Sequence, residues 1–575
     1  MSDRPTLRDF APVRDNLPLF VPPAALVGPD VPPAGETAFL HAEARPSDPE
    51  KAAAIIAVID HAIPFAHPLF TTDSGHSRFA SIWLMEAAAT ERRADIAFGR
   101  ELRGPDIDAV RVEGDPGAAY RACGLAWPGR CMSMAHADSH GAAVAALAGG
   151  FRPIGDAGRQ FPLLGVSLPR SAMAETSGSL AGFFIQSALV FIIARARALA
   201  REISAGSGKH KPALVVNLSL GVTAGPQDGS GPLARLLDDI GKMAFPELGG
   251  VHFVLPTGNH RQDCLRAHLK SGDRIGWNIP PADPTPNAIE IWSAPSEPVP
   301  RLAISTPSGA RLEVPLTTSG AGSIADGNNR PIGRVVLQRR GGNGGRICQT
   351  VILHPTLPTG PDTPWSPPGL WCLHLVSAGK SGCDLVIHRD DRLPGFRTQG
   401  RQSRLVDPTY ARRTDDGRWP GEDEGSPMIR RNGTVSAYAR GTRPIRVGAG
   451  LARPAGRISP YSGLLPDGIA GDVVAPADAS PSRTGMIVPS ITPAGRQRLS
   501  GTSLAAPQVA RWLAARLSAG DAVPGRGALR DMIKGRAEDD TPLLPLDRLP
   551  WRPGLSPRVE EDGSGTPPSA PLPSE

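Results

Sequence analysis

A chain of 575 residues, 40% hydrophobic and 21% charged, has ample length for a buried core. It exceeds the size at which one core keeps growing, so one large domain with additions, or two to three domains, is expected. Its 62 basic and 56 acidic residues nearly balance at a net charge of +6, and no dense Lys/Arg run makes a phosphate-tracking stripe, which argues against a nucleic-acid role. The 65 Gly and 62 Pro are spread along the chain, pointing to many turns and long connections rather than wholesale disorder.

Residues 1–50 are Pro-rich and weakly periodic, which predicts an extended N-terminal arm. The opening MSDRPTLRDF mixes charges where a secretory signal would carry a basic patch and an apolar run, so a cytoplasmic location is expected. From residue 51 the pattern changes. AAAIIAVI is a continuous apolar run ending on Asp60, the form of a buried parallel strand with a polar residue at its carboxyl end. FPLLGVSL, ALVVNLSLG and VHFVLPTGN repeat that form, with helix-like stretches between them at Ser139–Leu147 and Gly178–Ile203. The most apolar stretch, Leu180–Ala194, is short for a membrane span, contains Gln186 and runs straight into Arg195 and Arg197, so it reads as a buried core helix. Strand and helix in alternation over 51–262 predict a parallel α/β sheet, whose ligand sites gather at the carboxyl ends of the strands.

Beyond residue 262 the texture becomes short alternating runs such as AIEIWSA, RLAISTP, GRVVLQRR, CQTVILHP, LWCLHLV and CDLVIHRD, separated by Gly- and Pro-containing turns. That pattern predicts an antiparallel sandwich. Residues 391–430 are polar and rich in Arg, Asp and Gly, reading as a linker or loop that closes a β-rich insertion over 263–430. The α/β texture resumes over 431–540 with PIRVGAG and the helix-like TSLAAPQVARWLAARLSAG, followed by a second helix, GALRDMIKGRA. The tail at 541–575 has the composition of a disordered end. Six cysteines lie too far apart for a CxxC pattern, although Cys372 and Cys383 flank AGKSG and could face each other across a hairpin.

Four segments carry the chemistry. AVIDHAIPFAHPLF, SHGAAVAALAGG, HFVLPTGNH and SGTSLAAPQVA each resemble a signature segment of the subtilisin-like serine peptidases, and the resemblance is collective. It implies Ser503 as nucleophile, His140 as general base, Asp60 as the carboxylate that orients the histidine, and Asn259 as the oxyanion donor. The chemistry needs these types: a serine hydroxyl is a weak nucleophile without an adjacent base, and the base needs a carboxylate to fix its tautomer. The order Asp, His, Ser is that of the resembled fold. Singly, an Asp or a Ser reads as a cap and a His as a satisfied core residue; four segments in order do not. On the same footing His61, His67, His136 and His260 read as packing or hydrogen-bonding residues.

The resemblance also implies that Ser219, Leu220 and Gly221 pair with an extended peptide by strand addition. It implies further that Pro256, Thr257 and Gly258 line a wall of the pocket for the side chain preceding the cut, with a preference for apolar or uncharged residues. The family often binds calcium, but no EF-hand-like loop occurs here, so no cofactor is expected and calcium stays open. Departures cluster beside the carboxylate, where His61 and Ala62 replace a small hydroxyl residue and glycine; Ala142, Ala143 and Leu504 differ elsewhere without removing a catalytic atom.

The leading expectation is therefore a serine endopeptidase acting on protein or peptide substrates, with the 263–430 insertion selecting substrate or docking a partner, and with no nucleic acid or membrane involved. An idle scaffold that binds partners through the insertion and an esterase are the alternatives. The arm, through NLPLFVPPAALVGPD, could lie across the cleft as an inhibitor, since Pro is a poor residue to cleave around.

Overall fold

The computed structural model describes residues 54–518, apart from short internal segments of which 151–160 is the longest, together with Arg526 and Leu529. The expected arm, the tail, most of the second C-terminal helix, Cys131 and His136 lie outside the described residues. The first part of the chain forms β1 (Ala54–His61), β2 (Phe79–Leu84), β3 (Arg100–Arg103), β4 (Leu163–Leu168), β5 (Ala213–Leu218) and β6 (Gly250–Pro256). The apolar runs at β1, β4 and β5 are buried along their whole length, as strands covered on both faces must be.

The chain then leaves this sheet. It forms β7 (Arg266–Leu269), β8 (Arg274–Ile279), β9 (Asn287–Ser293), β10 (Arg301–Ser305), β11 (Arg311–Glu313), β12 (Gly320–Ala325), β13 (Pro331–Arg340), β14 (Arg346–Leu353), β15 (Gly369–Ser377), β16 (Cys383–Ile387) and β17 (Arg404–Val406). It returns with β18 (Ile445–Leu451) and β19 (Val473–Asp478), then makes a hairpin of β20 (Met486–Pro489) and β21 (Arg496–Leu499). The order across the main sheet is β19-β18-β6-β5-β1-β4-β2-β3, and only β3 runs antiparallel. Asp60 thus stands at the carboxyl end of a central strand flanked by β4 on one side and β5 on the other.

Helices cover both faces of that sheet. The Thr502–Ser518 helix packs with the small-residue helix His140–Gly149 in one core. The long Ala181–Ser207 helix fills the other, with Ile185, Leu189, Ile192 and Leu199 fully buried. It is long and apolar enough to cross a membrane, yet two-thirds of its most apolar window is buried inside the protein. Its apolar length is explained by the sheet it covers.

The inserted strands form a five-stranded sheet, β11-β10-β15-β8-β17, and a six-stranded one, β12-β13-β14-β9-β16-β7, both antiparallel throughout. Their inner faces share one core in which Trp277 and Trp371 from the first meet Ile289, Val351 and Leu385 from the second. This is an α/β subtilisin-like sheet with a β-sandwich-like insertion, as the sequence predicts. Two local expectations fail. The polar stretch read as a linker contains β17, and its Leu405 and Tyr410 enter the sandwich core, so three residues of strand suffice there because β8 supplies the pairing. Cys372 and Cys383 do not face each other: β15 and β16 belong to different sheets, and both thiols are free.

Candidate active site

Strand β1 ends where its last polar residue is needed. Asp60 is fully buried, and both of its oxygens lie 3.0 Å from His140 Nδ1. The carboxylate also accepts the His61 backbone N–H at 2.8 Å and meets the His61 ring Nδ1 at 3.2 Å. Burial alone would push its pKa up, but the charge and hydrogen bond of His140, aided by His61, hold it well below the ordinary carboxylate range. The histidine moves the other way. Burial disfavours its imidazolium, the charge and hydrogen bond of Asp60 outweigh that, and the Arg389 cation opposes them; the net direction is up.

His140 opens its helix behind Ser139, whose side chain caps the Ala142 N–H. Gln497, on β21, clamps the same residue: its amide donates to the Ser139 carbonyl at 2.7 Å and its oxygen accepts the Ser139 N–H at 3.2 Å. The following Gly141 is required sterically, because a Cβ there would sit 1.8 Å from the His61 carbonyl oxygen. The close contact brings the histidine helix down onto the end of β1.

Ser503 lies in the first turn of the Thr502–Ser518 helix and is 9% exposed. The N-terminal end of that helix favours developing negative charge. Gly501 before it has φ +139°, and a Cβ there would lie 3.0 Å from Asn259 Nδ2 and 3.2 Å from Ser503 Oγ. Amide and hydroxyl therefore border the same small space. The orientation of the amide is fixed by its other end, since Asn259 Oδ1 accepts both the backbone N–H and the hydroxyl of Thr502 at 2.9 Å. That leaves the NH₂ group to face the space beside Ser503.

His61, His140, Asn259 and Ser503 line one cavity of about 260 Å³, together with Ser219, Leu220, Gly221, Pro256 and Gly258. Thr257 does not line it. It is fully buried behind the wall, with its backbone tied to Val447 and Ser436, because side chains alternate across a strand end. Ser219 has a second part besides: its hydroxyl donates to the Ser503 carbonyl at 2.9 Å and accepts from Asn217 Nδ2 at 3.0 Å, tying the serine helix to the end of β5.

Arg389 and Asp391, just past β16 in the insertion, line the same cavity and pair with each other at 2.5 Å. Sequence reading missed them, along with Gln497 and Thr502. Thr502 stands next to Ser503 and could have been noticed; the others come from segments whose approach no local pattern announces. His67 and His260 make ordinary local bonds, His67 capping the turn at Leu69 and His260 meeting Asp263 at 2.9 Å.

The subtilase family model matches residues 51–543. The chain belongs to that family. This subtilase is accordingly a serine peptidase by family, one whose substrates are proteins or peptides. Among solved structures it is similar in fold to the Clostridium perfringens CspB protease, with a TM-score of 0.55 at 17% identity, over 86% of this chain and 92% of that one. No match was found among curated proteins.

Proposed function

We propose that this subtilase is an endopeptidase in which Ser503 attacks the peptide carbonyl, His140 takes its proton and Asp60 holds the imidazole in the Nδ1–H tautomer. The observation that carries the reading is the buried Asp60 carboxylate at 3.0 Å from Nδ1 of His140, a histidine that lines one cavity with Ser503. His140 then returns the proton to the leaving amine, and water releases the acyl group from Ser503 by the same route. Asn259 Nδ2 and the N–H groups at the helix start would face the oxyanion, where each preorganised donor acts in a site with little water. The extended substrate would pair with the Ser219–Gly221 backbone. Beside polar groups and the charged pair Arg389 and Asp391, the cavity lining includes Met173, Leu220 and Val222, which supports an apolar or uncharged residue before the cut. Nothing in this scheme calls on a cofactor.

The test is labelling by a fluorophosphonate probe combined with a casein digest. Native protein should label at Ser503 and degrade casein, and Ser503→Ala should do neither. A native protein that stays unlabelled beside a labelled subtilisin would overturn the enzyme reading in favour of an idle scaffold binding through its insertion. Cleavage of small esters without cleavage of casein would point to an esterase.

A further inference from the structure

The carboxylate of Asp60 faces two imidazoles, not one. His61 Nδ1 stands 3.2 Å from Asp60 Oδ1 and His140 Nδ1 stands 3.0 Å from it. The two rings are nearly parallel, 6° apart in plane with centroids separated by 6.2 Å, so both turn the same edge to one carboxylate. One ligand atom from each of the three residues lies within 4.8 Å of the other two. Tetrahedral zinc, at about 2.0–2.1 Å from nitrogen and carboxylate oxygen, holds its ligands about 3.3 Å apart. The spacings to Asp60 are already of that size. Two nitrogens and one carboxylate are a borderline-soft donor set that suits zinc and disfavours calcium and magnesium. Both imidazoles line the cavity, which supplies an entry path for an ion.

We propose that Asp60, His61 and His140 form a zinc-binding site and that its occupation switches the triad off. Zinc replaces the hydrogens now directed from the two Nδ1 atoms at Asp60. Each neutral ring, His61 and His140 alike, loses its Nδ1 proton to solvent and gains one at Nε2, so both rings stay neutral and no oxidation occurs. With Nε2 carrying hydrogen, His140 has no lone pair for the Ser503 proton, and attack stops. Removing the ion with a chelator restores the original tautomer. His61 is what distinguishes this site, for without its imidazole only two ligands remain.

The inhibitory half rests on the triad reading above, whereas binding does not, and the experiment separates them. Zinc binding to the full chain is measured by calorimetry, and cobalt(II) absorption reports tetrahedral coordination. Probe labelling is followed over a zinc titration, with each protein normalised to its own zinc-free rate. The native chain should bind one ion and lose labelling reversibly. His61→Ala and His61→Ser should each need at least about tenfold more zinc for both effects, since losing a ligand costs no less than losing a supporting residue. Equal zinc affinity in native chain and variants would overturn the site, as would no binding to the native chain even while Ser503 labels normally. Binding that leaves labelling intact would overturn the switch. An absence of zinc-free labelling would count against the triad, leaving calorimetry and cobalt spectra to decide the site.

Discussion

At the scale of single residues, the site depends on how each polar group is turned rather than on its presence. In the proposed mechanism Asn259 can serve as an oxyanion donor because Thr502 occupies its other end with two hydrogen bonds at 2.9 Å. Removing the donor and removing its orientation should therefore differ in degree. Asn259→Ala is expected to lower kcat by about 10²–10³-fold with little change in KM, the usual cost of one oxyanion donor. Thr502→Val, which removes the hydroxyl and keeps the backbone bond, should lower kcat by about tenfold or less; steady-state kinetics on one peptide substrate checks both. A Thr502→Val effect as large as that of Asn259→Ala would mean that the hydroxyl, not the amide, meets the oxyanion.

At the scale of elements, the proposed triad is assembled by contacts between strand ends and helix starts. Gly141 lets the His140 helix rest on the β1 terminus, since a Cβ would come within 1.8 Å of a backbone oxygen that has little freedom to move. Gly141→Ala should cost about 1–3 kcal/mol as an overpacked contact, lowering the thermal midpoint by several degrees and the rate with it. Ala142→Gly, one position on, is the control: it tests helix propensity at a buried position without the clash. Calorimetry of the two variants distinguishes the cases. An unchanged midpoint in Gly141→Ala would show that the helix can shift without consequence.

At the scale of the whole molecule, the insertion is fastened to the catalytic sheet beside the cleft. Glu290 on β9 is buried and accepts the Gly225 N–H at 2.6 Å, the Trp292 indole at 2.9 Å and the His388 ring at 3.1 Å. Nearby, the Thr223 hydroxyl donates to the Ile387 carbonyl at 2.8 Å. Arg389 and Asp391, which follow His388 in the chain, line the cavity. Glu290→Ala strands several buried donors and should cost about 1–3 kcal/mol. The loss should lower kcat/KM for extended peptides more than for a small ester, because the ester does not reach the insertion wall. Equal loss on both substrates would mean that the insertion has no part in substrate selection.

The sequence by itself determined the candidate catalytic residues and the layering. Apolar runs such as AAAIIAVI have the form of buried parallel strands whatever surrounds them, and the four motif segments are local in the chain. The insertion was legible for the same reason, as its alternating runs have the period of strands with one buried face. Its short strands were not. RLV in β17 and RAHL in β7 carry too few residues to show a period, and each exists because a neighbouring strand offers hydrogen bonds. Only the tertiary structure placed Gln497 against Ser139, 358 positions away, and brought Arg389 to His140. The same holds for His61: its position beside Asp60 is plain in the sequence, but the turn of its ring toward the carboxylate, parallel to His140, is decided by packing at the end of β1.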